Sequence, residues 1–132
     1  MTFGLDTDCV LRILLGTPEI QAEKILEFIR KTREDSDKIV ISDLVVAETY
    51  FALRHHYKIS QKEAILRIRQ MLDSGLISCV GVAHEILAQA KLDSAGPGLI
   101  DRLIHLDYLR RDADHWVTSG KAGKRLPHAR VL

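Results

Sequence analysis

The chain has 132 residues, of which 46% are hydrophobic and 28% charged. This balance suits one globular domain with an ordinary core, and it excludes disordered and fibrous classes. The formal net charge is +1, so contact with nucleic acid must come from local basic patches rather than from an overall field. No apolar run approaches the roughly 20 residues that a membrane span needs. We therefore expect one cytoplasmic domain over residues 1–132, without a membrane partner.

Short apolar runs alternate with helical patterns along the chain. In chain order, the predicted elements are strand 3–5, helix 8–15, a helix from residue 18, strand 38–41, helix 43–57, a helix from residue 61 to a stop at Gly75, strand 76–80, helix 82–92, helix 99–111 and strand 116–118. Thr17, Ser42 and Ser60 are the predicted N-caps of three of these helices. Short buried strands separated by helices predict an α/β protein with a parallel sheet, because parallel neighbours need crossover connections.

Acidic residues occur at places where the pattern does not require them. Asp6 ends the first strand, at the sheet edge where such folds place their functional cleft. Asp8 or Thr7 can be explained as a cap of the following helix. Glu48 has apolar neighbours at helical spacing, so we expect its carboxylate to be partly buried and therefore paired with an arginine or an amide, or bound to a cation.

A further acid opens the helix after Gly96-Pro97-Gly98. Asp101 is the third residue of that helix and can serve either as a site residue or as an acid that complements the helix dipole. His105 lies one turn later on the same side, and the two residues can form a site edge or only a weak helical pair.

Three carboxylates from a strand end and two helices predict a site for Mg²⁺ or Mn²⁺, because these cations take oxygen ligands. Such an ion can activate water near neutral pH and offset the charge that develops on a phosphodiester during attack. We therefore expect metal-dependent phosphodiester hydrolysis.

Three segments together resemble the PIN-domain ribonucleases, and most closely the VapC-type toxins of toxin–antitoxin pairs. The segments are Leu5-Asp6-Thr7-Asp8-Cys9-Val10-Leu11-Arg12, Ile41-Ser42-Asp43-Leu44-Val45-Val46-Ala47-Glu48-Thr49-Tyr50 and Gly96-Pro97-Gly98-Leu99-Ile100-Asp101-Arg102-Leu103-Ile104. The resemblance implies a three-layer α/β/α sandwich on a short, mainly parallel sheet of four or five strands. It also implies RNA cleavage with Asp6, Glu48 and Asp101 as catalytic metal ligands, a homodimer, and an antitoxin protein that covers the cleft.

The sequence departs from the pattern of the PIN-domain family after the last predicted strand. Many members carry a further acid there, where this chain has Gly120. We expect Asp8 to contribute a carboxylate through water, or Thr118 or Ser119 to hold a water. Thr7 and His105 complete the expected supporting residues.

Basic residues at two places predict RNA contacts. Arg54 and Lys58 follow the Glu48 segment, and Lys121, Lys124 and Arg125 lie after the last predicted strand. Both groups can also be ordinary solvated surface. Two alternative functions remain: a PIN-like module that binds RNA or protein without cutting, favoured by Gly120, and a phospho-accepting receiver domain, which the position of Glu48 inside a helix disfavours.

Overall fold

The computed structural model describes residues 1–89, 92 and 96–132. The chain divides into two compact units, Met1–Val80 and Gly81–Leu132. Each unit contains helices and parallel strands, which confirms the predicted α/β class. The single domain over the whole chain stays a prediction.

The first unit consists of three strands and four helices. In chain order they are β1 (Thr2–Gly4), α1 (Thr7–Leu15), α2 (Glu19–Glu34), β2 (Lys38–Ser42), α3 (Asp43–Phe51), a π-helical turn (Ala52–His56), α4 (Gln61–Asp73) and β3 (Ser78–Val80).

Strand β2 lies between β1 and β3 and pairs with both in parallel. Ile39 and Ile41 of β2 are buried, as are Val10 of α1, Val46 of α3 and Ile68 of α4. The helices therefore bury apolar residues in the same unit as the central strand, which is how parallel sheets are normally covered.

Side-chain caps fix where three helices begin. Ser42 accepts the Val45 N–H at 3.2 Å to begin α3, and Ser60 accepts the Glu63 N–H at 3.2 Å to begin α4, both as predicted. The expected Thr17 cap is wrong, because α2 begins after Pro18 without a side-chain hydrogen bond.

Within its described residues, the second unit contains two helices and two strands. In chain order they are α5 (Ala83–Leu87), α6 (Leu99–Arg110), β4 (Trp116–Thr118), a 3₁₀ turn (Lys121–Arg125) and β5 (Ala129–Val131). β4 and β5 pair in parallel. β5 and the 3₁₀ turn fall outside the predicted elements. The predicted helix 82–92 is shorter, and its end includes residues 90 and 91, which lie outside the described residues.

The 3₁₀ turn packs closely on the indole of Trp116. A Cβ atom added to Gly123 would lie 2.6 Å from the Trp116 ring and 2.9 Å from Thr118 Cγ2. Both distances are far below van der Waals contact, so the turn requires glycine at this position. The Trp116 ring also packs edge to face against the His105 ring, with 5.7 Å between the ring centroids.

Among the described residues, no helix combines the length and the apolar character that crossing a bilayer requires.

Replacing Ile41 with alanine tests the importance of the central strand. Ile41 is 1% exposed, so Ile41→Ala should lower the free energy of unfolding by about 2–5 kcal/mol, the usual cost of a cavity in a packed core. Urea unfolding followed by circular dichroism measures this change. Val80→Ala is the matched control, because Val80 is 58% exposed on β3 and its removal should cost less than about 0.5 kcal/mol. Equal effects of the two variants would contradict the assigned core.

Candidate functional site

Acidic residues follow two neighbouring strands at the same edge of the sheet. Asp6 comes two residues after β1, and Asp43 is the first residue after β2. Because β1 and β2 run parallel, with Gly4 opposite Val40, both acids lie at the carboxyl edge. This is the edge at which parallel α/β sheets place their ligands.

Asp6 is the N-cap of α1. Its Oδ1 atom accepts the N–H of Cys9 at 2.9 Å, which corrects the expectation that Thr7 or Asp8 caps this helix. The hydrogen bond from the Cys9 backbone lowers the pKa of Asp6 below its usual value of 3.8, because it stabilises the charged form. Burial raises the pKa of the neighbouring Cys9 thiol. Asp6 is therefore an exposed, fully charged carboxylate at neutral pH.

Thr7 connects this helix start to Glu48. The Thr7 hydroxyl donates to Glu48 Oε1 at 3.1 Å, so α1 and α3 are joined by a hydrogen bond between their side chains. Because Thr7 directly follows Asp6, the bond brings the Asp6 and Glu48 carboxylates into one region of the first unit.

The environment of Glu48 differs from the sequence prediction. Glu48 is exposed, and two of its apolar neighbours at helical spacing, Leu44 and Phe51, are 69% and 46% exposed. The buried face of α3 is instead formed by Val46 and Thr49. The expected burial penalty is therefore absent, and the observed partner of Glu48 is a hydroxyl rather than an arginine or an amide.

Asp43 is an acid at this edge that the sequence analysis missed. Its Oδ1 accepts a hydrogen bond from the Cys79 thiol at 3.3 Å, which links the end of β2 to β3. The available signal was its position directly after the β-branched run of β2, the same signal that identified Asp6.

The carboxylate of Asp8 is engaged elsewhere. Asp8 Oδ1 accepts a hydrogen bond from Arg12 Nη2 at 2.9 Å, and Arg12 also donates to the Thr17 carbonyl at 2.8 Å. Asp8 thus has a cationic partner one turn along α1. Its proposed part in metal binding through water stays a prediction.

The other predicted site residues belong to the second unit. Asp101 lies in the first turn of α6 and is half-buried. Thr118 Oγ1 accepts the Gly120 N–H at 3.1 Å, and Ser119 is exposed. His105 is buried, and its Nε2 lies 2.6 Å from the Pro127 carbonyl, so it has the contacts of a packed core residue.

Basic side chains form a groove in the second unit. The groove has a volume of about 550 Å³ and is lined by Lys121, Lys124, Ala129, Arg130 and Val131. None of these described lining residues is acidic, so the charge of the groove suits an anion such as a phosphate. Arg125, the last residue of the 3₁₀ turn, is exposed.

The donor chemistry of Asp6 and Glu48 fits a hard divalent cation. Within the described residues of either unit, no three His, Cys, Asp or Glu side chains form a group that could hold a metal ion. Mg²⁺ is nevertheless often bound through only one or two carboxylates while it keeps several waters. Asp6 and Glu48 are both exposed, and Glu48 accepts a hydrogen bond from Thr7, the residue after Asp6, so two carboxylates of the required chemistry are available in this unit.

The parallel sheet and the carboxylates at its carboxyl edge together identify an α/β protein with a candidate cation site. The family model of the PIN domain matches residues 4–118, and the chain therefore belongs to the PIN domain family. PIN domains are generally metal-dependent nucleases. No curated protein and no solved structure matches the chain. The resemblance to PIN domains is confirmed, the receiver alternative is wrong, and the VapC-type subfamily stays a prediction.

Replacing Asp6 separates its capping role from its charge. Asp6→Ala should lower the free energy of unfolding by about 1 kcal/mol at neutral pH, whereas Asp6→Asn should lower it less, because asparagine also accepts the capping hydrogen bond. Urea unfolding of the three proteins measures both differences.

The deficit of Asp6→Ala should also depend on pH. The folded-state pKa of Asp6 lies below the unfolded value of 3.8, so the stabilisation by its charge is present above 3.8 and is lost as the pH falls through the folded-state pKa. The difference between wild type and Asp6→Ala should therefore shrink in acid. A difference that stays constant down to that range would contradict the assigned hydrogen bond.

Proposed function

We propose that the protein is a metal-dependent endoribonuclease that hydrolyses RNA phosphodiester bonds. The observation that carries this proposal is the hydrogen bond from Thr7 to Glu48, because it ties the exposed Glu48 carboxylate to the residue that directly follows the exposed Asp6, in a chain of the PIN domain family. Asp6 and Glu48 are the proposed metal ligands in the first unit. The resemblance to PIN ribonucleases adds Asp101 as a third ligand.

Each part of the site has a distinct proposed role. A bound Mg²⁺ or Mn²⁺ ion would supply a water of lowered pKa and neutralise phosphate charge. Asp6 is held in position by its own helix cap, and Glu48 by the Thr7 hydroxyl. Lys121 and Lys124 contact phosphates of the RNA backbone, for which their groove has suitable charge.

We also propose that the protein is the toxin of a type II toxin–antitoxin pair and forms a homodimer. This proposal is supported by the resemblance of the three motif segments to VapC-type toxins. A groove of about 450 Å³ between α1, α2 and α4 offers a surface for an antitoxin segment. Its apolar lining includes Ile13, Leu14, Leu26 and Met71.

A second candidate function is supported by Gly120. This residue stands where many PIN domains have another acid, and it is exposed. A chain with fewer carboxylates attracts cations less strongly, so a module that binds RNA or protein without cutting is the alternative. The next experiment distinguishes the two functions.

Replacing the proposed ligands should strongly reduce cleavage. A pool of structured and single-stranded RNAs, including tRNAs, is incubated with Mg²⁺ or Mn²⁺ or with chelator, and product ends are sequenced. Glu48→Gln, Asp6→Asn and Asp101→Asn should each reduce metal-dependent products by about 100-fold or more, because each removes a charge that acts in the transition state. Asp35→Asn, an exposed acid after α2, is the matched control and should cleave like wild type.

The same assay decides the role of Asp8 and the alternative function. Asp8 pairs with Arg12, and Asp8→Asn tests its predicted part in metal binding: a shifted metal dependence places Asp8 in the ligand set, and an unchanged dependence removes it. RNA binding by the folded wild-type protein without products in either metal would overturn the nuclease in favour of the binding module.

Replacing Thr7 tests whether the hydroxyl orients Glu48. Thr7→Val has nearly the same shape but removes the donor, so cleavage should fall by about 10- to 100-fold, the usual cost of losing a group that orients a metal ligand. Thr7→Ser retains the hydroxyl and should retain most of the activity. A rise in the metal concentration needed for half-maximal cleavage, seen only in Thr7→Val, would identify Thr7 as a positioning residue. Equal activity of both variants would contradict this role.

A further inference from the structure

The chain leaves α3 through a turn of unusual geometry. The π-helical turn Ala52–His56 follows α3 directly, and the Tyr57 N–H donates to the Ala52 carbonyl, five residues earlier, at 3.1 Å. Arg54 Nη1 donates to the Ile59 carbonyl at 3.0 Å, which ties the turn to the chain that follows it. Single π turns are rare and often occur at functional sites.

Two stacked rings lie at the surface where α3 meets this turn. Phe51 and His55 lie nearly parallel, with an angle of 22° between their planes and 5.8 Å between their centroids. Both side chains are exposed, although an apolar ring such as Phe51 is normally favoured in a core. We call Phe51 and His55 the aromatic platform.

The chain segment that contains the aromatic platform is basic. No acidic residue occurs between Glu48 and Glu63, whereas Arg54, Lys58 and Lys62 all lie in this interval. Lys58 is exposed directly after the turn. The charge of the segment therefore complements a polyanion.

The aromatic platform also lies beside the proposed site. Phe51 follows Glu48 by three residues in α3, so both side chains lie on the same face, about 4.5 Å apart along the helix axis. A group stacked on Phe51 would thus be a near neighbour of the Glu48 carboxylate.

We propose that the aromatic platform stacks an unpaired base of single-stranded RNA next to the phosphate that is cleaved. The proposal rests on the ribonuclease function and assigns a base-binding position to Phe51 and His55 of this chain. Proteins that bind single strands combine exposed aromatic rings with a basic surface, and only an unpaired base can leave its own stack to meet such a ring. Contact with a second copy of the chain would also cover Phe51. Such a contact does not explain why the segment between Glu48 and Glu63 is basic and has no acidic residue.

The test measures RNA binding independently of cleavage. All variants are made in the Glu48→Gln background and titrated in chelator with a fluorescein-labelled, mixed A/U RNA 12-mer, either single-stranded or annealed to its complement. Phe51→Leu should weaken binding of the single strand by about 5- to 150-fold, the range for loss of one base–aromatic stack, and should change duplex binding much less. Phe51→Trp retains a ring and should retain the affinity. Tyr108→Leu removes another half-exposed aromatic side chain, on α6, and should bind like its parent.

The outcomes separate this proposal from the nuclease assignment. Loss of single-strand affinity in Phe51→Leu, with rescue by Phe51→Trp, supports the aromatic platform. This conclusion does not depend on cleavage: if proteins with the native Glu48 yield no products, only the nuclease function is overturned. Unchanged affinity in Phe51→Leu overturns the aromatic platform, whether or not the native protein cleaves. Equal losses for single strand and duplex also overturn it, because stacking requires an unpaired base. Sedimentation that shows Phe51→Leu dissociating a dimer, with RNA affinity unchanged, overturns it in favour of a contact between copies.

Discussion

Strand β2 pairs in parallel with a neighbour on each side, and the candidate site depends on this pairing. Parallel strands present their carboxyl ends at one edge, so the residues that leave β1 and β2 must start their helices there. Asp6 begins α1 and Ser42 begins α3 at that edge. Thr7, in the first turn of α1, then lies close enough to bond Glu48 in the second turn of α3. A slip in the pairing of β1 against β2 would separate these groups, so the buried residues of β2 also support the chemistry at its end.

Local signals were sufficient to predict most elements and the position of Asp6. Capping serines, the stop at Gly16 and the β-branched run of β2 act within a few residues, so they can be recognised in the sequence. Glu48 was selected for a reason that the structure contradicts. Both faces of α3 carry apolar residues, and spacing alone does not show that Val46 faces the core while Leu44 faces solvent. That choice is made by packing against other elements.

Features that depend on distant contacts were missed. β5 has only three residues, and it is a strand because of its pairing with β4. The π-helical turn was expected to continue as α-helix to Tyr57, since the extra residue leaves no mark on the apolar pattern. His105 was predicted beside the site, but Trp116 and the Pro127 carbonyl hold it in the interior of the second unit. Each partner lies more than ten residues away in the chain, beyond the range of helical spacing.

The close approach of Gly123 to Trp116 couples two positions over evolution. A side chain at 123 and an indole at 116 would occupy the same space, so neither position can change freely while the other keeps its residue. Among relatives of this chain, a larger residue at 123 should accompany a smaller one at 116. Covariation of these two positions would then reflect the packing of the 3₁₀ turn. It should not be interpreted as evidence of a shared catalytic function.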